Sequence, residues 1–275
     1  MTRIYAEKTT WKGVYQDLKS RGFSLAKINE KIGTQIQRQL YQGYGMNIGS
    51  FTKLQQLVDH DIPTIPNPFW KEHVVLEKDE KMAEMIGIIL GDGNIARKGV
   101  LISIHSKATD YIEKVSSLVK IVFKYDPKFH KRKNSNIVEV KIHSVAIVKS
   151  LLEMGLHIGN KVKNQVAIPN WIKENDHLFI ACIRGLIDTD GYIGKYKKRN
   201  ALNVWFQYHV GFTNYSMNLI KGFIEFCERF EIPYSHTQYR VLIGSKKGVF
   251  KILNLTKPFK LAKTNFDLEE LEEVI

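Results

Sequence analysis

Met85-Ile86-Gly87-Ile88-Ile89-Leu90-Gly91-Asp92-Gly93 and Ile183-Arg184-Gly185-Leu186-Ile187-Asp188-Thr189-Asp190-Gly191 are two versions of one pattern, an apolar helical run closed by an acidic residue and a glycine. Internal repetition limits the fold more than any local signal, because a unit that cannot bury its apolar face alone is completed by its copy. Gly87 and Gly91 are four residues apart and share one helical face, as do Gly185 and Thr189. Small residues on those faces let the two helix backbones approach closely, and helices packed this way bring Asp92 beside Asp190. A carboxylate at the negative end of a helix dipole costs ~0.3–1 kcal/mol, and two together repel each other. A divalent cation is the natural compensation. Magnesium suits the place, since it takes few carboxylates and completes its octahedron with water and phosphate oxygens.

The repetition extends beyond the motifs. After the first, the periodicity predicts a strand at Val100–His105, a helix over 110–123, strands at 129–132 and 137–143, and a helix over 145–154. After the second it predicts strands within 192–196 and 203–212, a helix over 217–230, strands at 234–238 and 239–243, and a helix over 247–255. Ile104–Ile112 aligns with Phe212–Ile220, each just before the long helix. The expected domains are therefore a first repeat over 80–160 and a second over 161–263, followed by an acidic tail over 264–275.

Residues 1–62 read as a separate helical domain, with apolar spacing over 11–18, 24–32, 35–41 and 51–58. Its middle pair resembles a helix-turn-helix, whose second helix would present Gln35, Gln37, Arg38 and Gln39 to base edges or phosphates. A small bundle with a polar outer face would have the same pattern. Ile62-Pro63-Thr64-Ile65-Pro66-Asn67-Pro68 discourages helix and sheet alike, so 63–79 reads as a linker.

The formal charge is +13 and lies with the repeats: residues 1–80 carry eleven Lys and Arg against nine Asp and Glu, residues 81–263 carry thirty against fourteen, and the tail none against five. Such a field favours a polyanion through counterion release, and double-stranded DNA is the expected partner. With only Cys182 and Cys227, neither a disulfide framework nor a cysteine zinc site is expected. No signal peptide or membrane-spanning run is apparent, which points to a cytoplasmic, nucleoid-associated protein.

The two motifs, their spacing and the basic surroundings resemble the LAGLIDADG homing endonucleases in their single-chain, two-motif form. The second copy is the closer, keeping Gly185-Leu186-Ile187-Asp188-x-Asp190-Gly191; in the first, Leu90 stands in place of the motif's other Asp and Gly91 in place of its small Ala. The resemblance covers roughly residues 80–260. It implies an α+β fold, a duplicated αββαββα unit with two antiparallel DNA-binding sheets, here with a small all-α N-terminal domain. It also implies a monomer with internal pseudo-two-fold symmetry that cuts a long asymmetric duplex with Mg, or Mn in its place, held by Asp92 and Asp190.

The family's lysine is matched by Lys107. Its repeat counterpart is Tyr215, so Lys195 is the candidate that would replace that charge, and Asn214 would orient water. Asp188 reads as structural. Strand residues expected to face DNA are Lys131, Lys133, Lys141 and His143 in the first half, with Lys197, Arg199, Asn203, Gln207, His209, Gln238 and Arg240 in the second. A protein of the same fold that binds DNA or RNA without cutting, as a maturase or a transcriptional regulator, is the alternative.

Overall fold

The computed structural model describes residues 3–42, 45–65, 74–200, 204–264 and 266. Asn203, expected to face DNA, most of the acidic tail and part of the proline-containing linker lie outside the described residues. The chain divides into two compact units, Met1–Glu72 and His73–Ile275.

The first unit runs β1 (Arg3–Ile4), α1 (Lys8–Ser20), α2 (Leu25–Ile32), α3 (Gln37–Gln42), β2 (Met46–Asn47) and α4 (Ile48–Gln55). Trp11, Val14, Leu18, Ile28, Ile32 and Leu54 are buried in a core of its own. Ser24 caps α2 by accepting from the Lys27 amide at 3.2 Å, and Gly33 closes that helix in the left-handed conformation at φ 71°. To the expected helices the structure adds a short antiparallel pairing of Arg3 with Asn47 and Ile4 with Met46.

The second unit contains the αββαββα order twice. The first copy is α5 (Glu80–Asp92), β3 (Gly93–Ala96), β4 (Gly99–His105), α6 (Thr109–Phe123), β5 (Lys128–Lys131), β6 (Ile137–Ile142) and α7 (Val145–Glu153). Two short helices follow, α8 (Lys161–Asn164) and α9 (Asn170–Lys173). The second copy is α10 (Asp176–Thr189), β7 (Gly191–Arg199), β8 (Val204–Thr213), α11 (Met217–Arg229), β9 (Ser235–Thr237), β10 (Arg240–Ile243) and α12 (Lys246–Thr256), with a 3₁₀ turn at Phe259–Lys263. Each copy forms a four-stranded antiparallel sheet, in the orders β3-β4-β6-β5 and β7-β8-β10-β9. This is the duplicated LAGLIDADG fold.

The two motif helices form its spine. A Cβ built on Gly87 would lie 3.0 Å from the Cys182 carbonyl carbon and 3.2 Å from Gly185 Cα, closer than carbon atoms pack. Backbone therefore lies on backbone at this crossing, and only glycine fits. Asp79 caps α5 through the Met82 amide at 2.8 Å, and Asn175 caps α10 through the His177 and Leu178 amides. At the far ends, a Cβ on Gly93 or Gly191 would lie 2.5 or 2.7 Å from the Cα of Ile89 or Ile187. Glycine there lets each helix turn directly into the first strand of its sheet.

The pseudo-symmetry is broken along the spine by charge. Glu84 on α5 pairs with Arg184 on α10 at 3.0 Å and with Lys114 on α6 at 2.7 Å, while Lys114 also meets Asp188 on α10 at 2.9 Å. The Asp188 side chain has no exposed surface, and its other oxygen accepts the Lys260 amide at 3.0 Å. Its repeat counterpart, Leu90, is simply buried. The second-repeat aspartate thus helps tie the halves together.

Candidate metal and nucleic-acid site

Asp92 is the last residue of α5, and Asp190 follows the last residue of α10. The close crossing at Gly87 and Gly185 brings these two helix ends together. Burial pushes the Asp92 carboxyl up to about 6, the Asp190 charge adds to the rise, and Lys161 and Lys260 oppose it. Asp190 is likewise raised by burial and is partly relieved by Lys161, by a hydrogen bond from Asn214 and by Lys260. Both carboxylates therefore feel the same two ammonium groups.

Those ammonium groups come from corresponding places in the two repeats. Lys161 opens α8, after the last helix of the first copy, and its Nζ donates to the carbonyl oxygen of Gly91. Lys260 lies in the turn after the last helix of the second copy, and its Nζ donates to Thr189 O at 2.9 Å and Gly191 O at 2.6 Å. Each lysine thus grips the carbonyl immediately before a motif aspartate, where the unpaired helix-end carbonyls concentrate negative potential. Burial pushes both lysines down, and the aspartates pull them back up.

Sequence reasoning missed this pair. A signal was available, since the two lysines stand at nearly the same interval after Asp92 and after Asp190. Lys195, the expected second-half charge, instead lies over the rings of Phe206 at 4.6 Å and Tyr208 at 5.4 Å. That is the core-facing side of β7, because its ladder partner Tyr208 is buried. Lys107 is exposed just beyond β4. Asn214 lies at the second aspartate, and its Nδ2 donates to Asp190 Oδ2 at 2.7 Å.

Residues opposite each other across an antiparallel ladder share a face, so the register sorts the strand candidates. On the second sheet, His209 opposes Gly194, Gln207 opposes Tyr196 and Trp205 opposes Lys198, all on the face away from buried Val210 and Phe212. Lys197 and Arg199, paired with Phe206 and Val204, lie on the other face. Arg240 shares the outer face, where its guanidinium donates to the Tyr192 hydroxyl and covers that ring at 5.2 Å. Gln238 is in the β9–β10 turn.

On the first sheet, Lys141 faces outward with Glu139, whose carboxylate also takes Arg132 at 2.6 Å. Those two cations hold the Glu139 carboxyl below the usual range. Lys131 pairs with Val138 on the inner face, Lys133 lies in the β5–β6 turn, and exposed His143 follows β6.

In the first unit, Gln37 Oε1 accepts Asn29 Nδ2 at 3.2 Å and Gln39 is buried. Gln37 is half-buried, and Gln39 lines the polar pocket of Gln35 and Arg38. Gln35 and Arg38 line an open polar pocket with Arg3, Thr34 and Gln42.

Two carboxylates flanked by backbone carbonyls match the hard, oxygen-only preference of magnesium or manganese, which need few protein ligands when substrate phosphate supplies the others. They do not make a zinc site or a calcium cage. Among the described residues no group of three or more His, Cys, Asp or Glu forms such a centre. No helix among the described residues is long and apolar enough to cross a membrane.

Fold and site together define a duplicated α+β protein built on two close-packed helices with acidic ends. Residues 179–254 match the family model described as a LAGLIDADG-like domain. It is 28% identical over 167 residues to an uncharacterized protein of Methanocaldococcus jannaschii, a match covering 58% of each chain. It is also 29% identical over 191 residues to the replication factor C small subunit of that organism, covering 59% of this chain and 10% of the other. The chain thus spans less than two thirds of the length of these relatives.

Among solved structures, the LAGLIDADG homing endonuclease I-LtrWI bound to target DNA aligns with a TM-score of 0.48 and 11% identity, over 72% of this chain and 90% of that one. I-DmoI in complex with DNA and Mn aligns with a TM-score of 0.45 and 15% identity, over 66% and 97%. The N-terminal LAGLIDADG domain of WhiA aligns with a TM-score of 0.45 and 16% identity, over 70% and 90%.

Proposed function

We propose that this chain is a site-specific, divalent-metal-dependent DNA endonuclease that acts as a monomer on a long, asymmetric duplex. The observation that carries the reading is the acidic pair itself: two partly buried carboxylates at adjoining helix ends, each beside a repeat-related lysine. Such an arrangement costs folding energy and is explained by chemistry at that point.

Asp92 and Asp190 would hold Mg, or Mn in its place, and the ion would supply Lewis-acid stabilisation of the phosphate and a more acidic water. Asn214 fixes the Asp190 carboxylate by donating to it and so sets which oxygen faces substrate. Lys161 and Lys260 keep positive charge at the helix ends, where charge builds on the phosphate oxygens during in-line attack. Gln207, His209 and Arg240 on the second sheet, with Lys141 on the first, present hydrogen-bonding groups to base edges. Because the halves differ in sequence, the preferred site is asymmetric. The α2–α3 pair, through Gln35 and Arg38, would add a helix-turn-helix contact.

A second reading has its own support. Lys161 and Lys260 already offset the aspartates and occupy the helix-end carbonyls, an arrangement that serves a protein binding DNA or RNA without cutting.

Incubation of the full chain with a randomised duplex library, with and without magnesium, followed by sequencing of ends, separates the two. Magnesium-dependent ends at one sequence, abolished in Asp92→Asn and Asp190→Asn, are expected. Recovery of bound, intact duplex under both conditions would overturn the nuclease and leave the binding protein.

A further inference from the structure

We infer that Tyr215 and Tyr239 form a stacking ledge that receives a base taken out of the duplex stack next to the second-half aspartate; this rests on the nucleic-acid reading of the site. Tyr215 directly follows Asn214, the residue that grips Asp190. Tyr215 is 64% exposed and Tyr239 38%, with ring centroids 5.2 Å apart at an interplanar angle of 50°.

The frame beneath the rings is fixed. Asn214 N donates to Tyr239 O at 3.0 Å, Ser216 N donates to Asn214 Oδ1 at 2.8 Å, fully buried Ser216 donates from Oγ to Val166 O at 2.7 Å, and Met217 N donates to Gln165 Oε1 at 2.8 Å. An aromatic side chain on so constrained a backbone cannot fold back into the core. Its apolar surface faces water one residue beyond the asparagine that holds Asp190.

The first half shows that the scaffold does not require this. There Ser106 N donates to Asn136 O at 2.8 Å, the same bond that Asn214 makes to Tyr239. The positions of Tyr215 and Tyr239 are therefore held in the first half by Lys107 and Asn136, both polar and exposed. Both members of the pair have become aromatic on one side of the pseudo-two-fold axis and neither on the other. Packing of the two rings on each other would account for a contact, but not for the large area left open.

The chemistry at hand selects the occupant. A phosphodiester backbone reaching Asp190 carries its base within range of the neighbouring residue, and every base has a π face that stacks on an aromatic ring. Side chains wedged at a base step unstack it and bend the duplex. The ledge thus makes the central step of the target unequal: bases on the second-half side leave the stack, and those beside Lys107 keep it.

The test uses the full chain and a duplex recovered by it from a randomised library with magnesium withheld. 2-Aminopurine is placed at each central position in turn, and its emission and the binding anisotropy are read together. The expected result is an emission change at one or two adjacent positions on one side of the centre. Tyr215→Ala abolishes that change and weakens binding about tenfold, as loss of one base–aromatic stack does, while Tyr215→Phe retains both. Thermal unfolding of Tyr215→Ala at the wild-type temperature separates the effect from misfolding. A complex that forms with no emission change at any position, or whose change survives Tyr215→Ala, overturns the ledge alone. Failure to recover any bound duplex overturns the nucleic-acid reading and the ledge with it.

Discussion

Gly185→Ala puts the helix crossing to a quantitative test. In an unstrained helix interior this exchange adds about 1 kcal/mol of stability, because Ala loses less backbone entropy. At position 185 the new Cβ would lie 2.9 Å from Ile88 N and 3.1 Å from Gly87 C, and closer still to Glu84 O. All three are backbone atoms of α5, so no side-chain rotation relieves the clash and the helices must part. Moving them by even ~0.5–1 Å forfeits a quarter to a half of the dispersion energy between facing atoms. Those atoms belong to Glu84, Gly87 and Ile88 on α5 and to Cys182 and Gly185 on α10, all buried. With overpacking costing about 1–3 kcal/mol and more where the obstacle is backbone, the net loss is about 2–4 kcal/mol after the helix-propensity gain. Urea denaturation of the full chain followed by circular dichroism measures it. Gly13→Ala in α1 is the control, since a Cβ there meets nothing within 4 Å, and it should gain about 1 kcal/mol in the first unit. The same parting displaces Asp92 from Asp190, so divalent-ion affinity should fall alongside stability. A Gly185→Ala protein as stable as wild type, or more so, would refute the backbone-on-backbone packing.

Asp92→Asn should reveal the cost of the buried charge. The folded state holds this proton up to about 6 against an ordinary 3.8, so the stabilisation from the protonated form is complete below 3.8 and lost as pH rises through 6. Without divalent ions the variant should match wild type near about pH 4 and exceed it by ~1–3 kcal/mol near about pH 7; a difference that grows as pH falls would contradict this. Lys114→Met removes the ammonium that pairs directly with buried Asp188 and leaves it only the charge of Lys260, while Glu84 keeps Arg184, and a loss of about 3 kcal/mol in urea denaturation is expected; an unchanged midpoint would sink that account. On the second sheet, His209→Ala should change which base pair is preferred at one position of a selected duplex. Lys197→Ala, on the opposite face, should leave the sequence profile as it was and only reduce the salt dependence of binding.

The duplication was legible because it is written in periodicity. The strand expected at Val100–His105 and the helix over 217–230 lie within a residue of β4 and α11, since each carries a clean alternation of two or a recurrence of three and four. What was not legible lacked that grammar. β3 is four residues beginning Gly93-Asn94, residues that rarely favour a strand, and it exists because the turn out of α5 delivers it to the edge of β4. β7 continues through Lys197, Lys198 and Arg199 to a residue well beyond the expected end, because pairing with β8 overrides the weak strand preference of three consecutive cations.

The site divides along the same line. Asp92 and Asp190 sit inside the repeated motif and could be read from it, whereas Lys161 and Lys260 are two of 41 basic residues, in short helical turns with no local signature. Their meaning appears only when the pseudo-two-fold folds both turns back onto the helix ends. From sequence alone a divalent ion is the natural compensation for two neighbouring carboxylates, but the fold supplies two ammonium groups of its own. Cation and lysine then compete for the same negative potential: an ion that takes the carboxylates must do so against Lys161 on Gly91 O and Lys260 on Thr189 O. Each lysine carries its own burial cost, so moving it toward an incoming phosphate returns part of that cost. In the nuclease reading proposed above, arrival of the anionic substrate would draw the two lysines from the helix-end carbonyls and open the carboxylates to metal.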